Sequence, residues 1–80
     1  MQTVEWNIRG LIEALGGVQA LRHRFIEAGI EPPLSQTMIG WRRRNSAPGA
    51  WMLAMLSVAA KDPTLPPIED LLAIMRKRAS

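Results

Sequence analysis

The sequence predicts an all-α fold: a compact bundle of about five short helices in a single domain spanning residues 1–80. Three observations predict it. Apolar side chains recur at helical spacing in five separate stretches. Gly-Gly, Pro-Pro, Asn-Ser-Ala-Pro-Gly and Asp-Pro-Thr-Leu-Pro-Pro break the pattern between them. The composition is 48% hydrophobic but only 5% aromatic, without Tyr, which suits Leu-, Ile-, Ala- and Met-built helices better than a sandwich or barrel.

Val4, Ile8, Leu11, Ile12 and Leu15 predict a first helix over residues 3–15, with Thr3 as its N-cap and Gly16-Gly17 as its stop. Gly10 lies inside the pattern at a cost of about 1 kcal/mol against Ala. Trp6 falls off the apolar stripe and receives no role. Val18, Leu21, Phe25 and Ala28 predict a second helix over 18–28, ended by Gly29. Pro32-Pro33 cannot continue it, because neither has an amide hydrogen to donate. A third helix starts at Leu34 or Ser35, with Leu34, Met38 and Trp41 on its inner face. Ser46 is the expected N-cap of a fourth helix over 48–60, where Pro48 is tolerated in the first turn. That helix is apolar nearly all round, so its neighbours or a second copy of the chain should cover it. After a stiff connector at 62–67, Ile68, Leu71, Leu72 and Met75 mark a last helix over 68–78. Glu69 and Asp70 at its start and Arg76-Lys77-Arg78 at its end both suit the helix dipole. The helical core thus covers about residues 4–60, with 68–78 as a C-terminal addition.

Several function classes fall away. With no Cys and one His there is no disulfide framework, thiolate site or His cluster, so no metal is expected. The longest apolar run, residues 50–60, is shorter than the ~20 residues a membrane span needs. No leader-like segment is evident, and a cytoplasmic location is the default expectation. His23 sits between Arg22 and Arg24 with only Glu27 at helical spacing, the pattern of a solvated side chain. Gly16-Gly17 lacks the spacing and the Lys-Ser/Thr of a phosphate loop. No catalytic residue and no cofactor are therefore expected; the chain does not read as an enzyme.

Charge is more informative. The net charge is +3, and none of the seven acids falls between Pro32 and Lys61, whereas Arg42, Arg43, Arg44 and Lys61 all do. Such a stretch creates an unopposed positive field that attracts phosphate. On the third helix, Ser35, Gln36, Ile39, Gly40 and Arg43 lie opposite Trp41. Gln36 can pair with adenine, Ile39 suits a thymine methyl, Gly40 permits close approach, and Arg43 is a fork for guanine or phosphate. This is the chemistry of major-groove readout.

With those residues in view, "IEALGGVQALRHRF" followed by "SQTMIGWRRRNSAPGAW" resembles the small Cro-type, lambda-repressor-like helix-turn-helix regulators of phages and mobile elements. The resemblance covers about residues 8–58 and rests on Leu15-Gly16-Gly17, on Thr37-Met38 before Trp41, and on Pro48 before Trp51. The chain departs from the family in a longer connection between Phe25 and Trp41, and in Arg22 where a small Ala is usual. The resemblance implies a helix-turn-helix in which Met38 and Trp41 are core. Ser35, Gln36, Thr37, Ile39, Gly40 and Arg43 would contact bases. Arg42 and Arg44, with Arg22 and Arg24, would hold phosphates. The implied partner is an operator in double-stranded DNA, and the implied role is (auto)repression in a bacterial host cell. No small-molecule effector is expected. One recognition helix reads too few base pairs for selectivity, so a homodimer on a palindrome is expected. Its candidate contacts are Trp51 and Met55 of the fourth helix and Ile68, Leu72 and Met75 of the fifth; an intrachain role for the fifth-helix stripe stays open. Two other readings also remain open: an excisionase-like accessory that bends DNA, and a helical protein-interaction module or inhibitor that binds none.

Overall fold

A computed structural model of the chain describes residues 6–76. They form α1 (Ile8–Ala14), α2 (Val18–Glu27), α3 (Ser35–Arg44), α4 (Gly49–Ala60) and α5 (Ile68–Arg76), with no strand among the described residues. The five helices follow the five apolar stripes, but their ends differ from the spacing-based expectation for specific reasons.

α1 starts at Ile8 because Asn7, not Thr3, caps it. The Asn7 side-chain oxygen accepts from the Gly10 amide at 3.0 Å, satisfying a donor that has no partner inside the helix. The Asn7 backbone amide donates to the Met75 carbonyl at 2.6 Å, and its Nδ2 donates to the Ile74 carbonyl at 3.3 Å. Residue 7 is thus bonded to α5 and cannot also be an interior residue of α1. Thr3 and Val4 lie outside the described residues. Gly10 is needed for this junction: a Cβ there would overlap the Asn7 amide and meet the Ile74 Cγ2 at 3.0 Å.

Gly16 and Gly17 turn the chain with φ of 100° and 95°, values open to Gly without a Cβ clash. α2 then stops at Glu27, and the Ile30 amide closes its end by donating to the Phe25 carbonyl at 2.8 Å. α3 ends at Asn45, which takes the left-handed conformation at φ 55°. The Ser46 amide donates to the Trp41 carbonyl at 3.0 Å, so Ser46 finishes α3 and does not cap α4 as expected. The N-cap of α4 is Pro48, without a side-chain hydrogen bond.

α1 packs against α2, α3 and α5, while α4 packs against α2 and α5. Leu11, Ile12, Leu15, Leu21, Phe25 and Met38 are fully buried at the centre. Trp51 joins the helices beside them. Its ring lies 5.4 Å from Phe25, edge-on, and 5.9 Å from Trp41, tilted at 41°. Such aromatic pairs add specific geometry to the area they bury.

The connector to α5 is held by one carboxylate. Asp62 pairs with the Arg24 guanidinium, whose Nε also donates to the Leu15 carbonyl at 3.2 Å. The other Asp62 oxygen accepts from the Thr64 amide at 2.9 Å and the Thr64 hydroxyl at 2.6 Å. Asp62→Ala should cost about 1–2 kcal/mol in urea unfolding, because it removes a charge-assisted pair and an Asx-type turn together. An unchanged unfolding midpoint would mean that the connector is held by its prolines alone. No helix among the described residues is long and apolar enough to cross a membrane.

Candidate nucleic-acid interface

Of the cations that the charge pattern singled out, Arg42, Arg43 and Arg44 form the last turn of α3, whereas Lys61 lies at the C-terminus of α4. Met38 is fully buried and Trp41 nearly so, which turns the opposite face of α3 to solvent. Gln36, Thr37, Arg43 and Arg44 are exposed, and Arg42 is half-buried. None of the three arginines forms an ion pair with an acid among the described residues; the close basic–acidic contacts there are His23–Glu27 and Arg24–Asp62. Among the described residues no acid therefore pairs with the positive charge at this end of α3, in line with the acid-free sequence window.

Four residues differ from their expected setting on or beside this face. Leu34 is 72% exposed, not part of the inner face. As N-cap it has an extended backbone (φ −61°, ψ 147°), so its side chain leaves the helical register that Met38 and Trp41 follow. Ile39 is half-buried and packs on the rim of the core, which leaves only part of it free for a contact. Ser35 is half-buried and accepts a hydrogen bond from Gln19 Nε2 at 3.0 Å, which sets the start of α3 against the start of α2. The bare surface at Gly40 is already covered: Nη1 and Nη2 of Arg44 lie 3.1 and 3.4 Å from the place a Cβ would take.

The expected phosphate contacts divide. Arg42 and Arg44 stay on α3. Arg22 is half-buried and donates through Nε to the Pro33 carbonyl at 3.0 Å, bracing the connection into α3. Arg24 is committed to Asp62 and the Leu15 carbonyl and is not a free cation. The expected dimer contacts also change. Met55 and Met75 are buried within the single chain and have no surface to offer a partner. Trp51, Ile68 and Leu72 are half-buried against the same core, while Leu53 is the large apolar side chain of α4 left 70% exposed.

Three residues of this region carried no periodic signal. Arg9 donates from Nε to the Arg42 carbonyl at 3.1 Å and from Nη2 to the Arg43 carbonyl at 3.3 Å, meeting the negative end of α3 with a cation. Asn45 returns the contact, its Oδ1 accepting from the Arg9 amide at 2.8 Å. Gln19 is the third. Trp6, left unassigned by its spacing, lines a cleft of about 460 Å³ with Ile8, Arg44, Asn45, Ser46, Ala47 and Met52. No group of His, Asp or Glu among the described residues could hold a metal ion. Set beside known proteins, the chain matches no family model, no curated protein and no solved structure.

Proposed function

We propose that the protein is a sequence-specific double-stranded DNA-binding regulator whose α2–α3 pair acts as a helix-turn-helix. The observation that carries this reading is the orientation of α3. Two buried anchors, Met38 and Trp41, leave Gln36, Thr37 and Arg43 exposed beside Arg42 and Arg44, which pair with no acid among the described residues. α3 is ten residues long, a length that fits the major groove. Arg42 contributes phosphate affinity, and Gln36, Thr37 and Arg43 contribute base selectivity. The Gln19–Ser35 hydrogen bond supports the same reading, because it fixes the angle at which α3 would be presented.

A single α3 reads about four or five base pairs, so the regulator binds a palindrome as a homodimer with half-sites ~34 Å apart. With Met55 and Met75 inside the core, Leu53, exposed on α4, is an apolar side chain open to that contact. Repression by covering a promoter, including the protein's own, follows from occupancy alone and fits a phage-type repressor working in the cytoplasm of a bacterial host. The protein performs no catalysis on this reading.

The test is an electrophoretic shift with the DNA upstream of the protein's own gene. A discrete retarded band that survives competitor DNA is the expected result. A smear abolished by moderate salt would indicate nonspecific basic binding, and no shift at low salt would leave a protein-interaction module as the better account. Arg43→Ala should weaken the specific complex by ~1–3 kcal/mol and relax preference at one position. An equal loss on every sequence would reduce Arg43 to a phosphate contact.

A further inference from the structure

Gly40 is an unusual residue for the middle of a ten-residue helix, because Gly there is unfavourable against nearly any other non-Pro residue. Its surroundings give it a use. Residue 40 has residues 36, 37, 43 and 44 as its neighbours on the helix surface. The Arg44 side chain runs back along α3 and rests its guanidinium on the bare backbone at Gly40, with Nη1, Nη2 and Cζ 3.1, 3.4 and 3.5 Å from a Cβ position. Any side chain at 40 would compete for that space. The charge of Arg44 thus sits beside Gly40, one turn up the helix from its own Cα.

We propose that Arg44 is a second base-reading side chain and that Gly40 is the residue that positions it. Two guanidinium forks, Arg43 and Arg44, then share one patch of the α3 outer face, and no acid among the described residues pairs with either. A pair of adjacent acceptor-rich base edges matches them, as neighbouring guanines present O6 and N7 in the major groove. Arg42, half-buried beside them, keeps the phosphate role. This inference rests on the DNA-binding reading of α3, but the contact between Arg44 and Gly40 can be tested without DNA.

The experiment uses the full chain and a duplex selected by the wild-type protein from a random-sequence library. Arg44→Ala should lower affinity for that duplex about tenfold and relax preference at one base pair next to the one relaxed by Arg43→Ala. Gly40→Leu keeps the arginine but fills its resting place, so it should give a similar loss at the same base pair. Its thermal midpoint should nonetheless rise by about 4 °C, since Leu is the better helix former and the Arg44 side chain can move aside. Combined with Arg44→Ala, Gly40→Leu should cost nothing more, because the two act through one group.

A uniform loss on all sequences in Arg44→Ala would overturn the proposal and make Arg44 a phosphate contact. A Gly40→Leu penalty of equal size with and without Arg44 would also overturn it, by showing that Gly40 itself faces DNA. If the wild-type chain selects no duplex, both the regulator reading and the base-reading role fail. Nuclear Overhauser contacts between the Arg44 side chain and the Gly40 Hα protons then show whether the resting contact itself exists. Their absence overturns the positioning role even where DNA binding is intact.

Discussion

Gly10→Ala should destabilise the protein by about 2 kcal/mol and lower its thermal midpoint by roughly 8–16 °C. Helix propensity alone gives the opposite sign, a gain of about 1 kcal/mol. The sign reverses because the new methyl would stand where the Asn7 amide and the Ile74 side chain already meet. Moving the Asn7 side chain opens the N-terminus of α1 and breaks its bond to the Ile74 carbonyl. The loss therefore combines a cap, a helix–helix contact and backbone groups left unpaired. A circular-dichroism melt of the variant decides it; an equal or higher midpoint would mean that α5 can withdraw at no cost.

The larger effect is expected at Trp51. Trp51→Ala should cost about 3–5 kcal/mol, a large part of the 5–15 kcal/mol that holds a typical domain together. The indole contacts Phe25 of α2 and Trp41 of α3 from its place on α4. Truncating it leaves a void where three helices meet, and it also loosens the anchor that orients α3. Unfolding should be equally affected in dilute and concentrated protein, since the contacts removed lie within one chain. A penalty that grows with protein concentration would instead return Trp51 to an interface between copies.

The same two sites show which features were legible in the sequence. A buried stripe has a period, so Ile8, Leu11, Ile12, Leu15, Met38 and Trp41 could be placed before any coordinates, and the exposure of Arg43 followed from lying opposite Trp41. What spacing could not give were choices made by residues distant in the chain. Asn7 is separated by 67 positions from Ile74, the residue that helps take it out of α1. Arg24 is 38 positions from Asp62, so a local reading counted it among the free cations. Leu34 has the right spacing for the core but sits at a helix boundary, where side-chain direction no longer follows the helical period. Arg44 was legible as a charge; where its guanidinium rests depended on the missing side chain at Gly40.

The exchange between Arg9 and Asn45 bears on the entropy of binding. The last turn of a helix ordinarily frays, and ordering a frayed residue on a partner costs about 1–2 kcal/mol. Here the carbonyls of Arg42 and Arg43 are already held by Arg9, and Asn45 is tied to the Arg9 amide. The backbone beneath the arginine run is therefore set before any ligand arrives. On meeting a polyanion, side chains and not the backbone of the arginine run remain to be immobilised, so more of each contact's energy is retained as affinity.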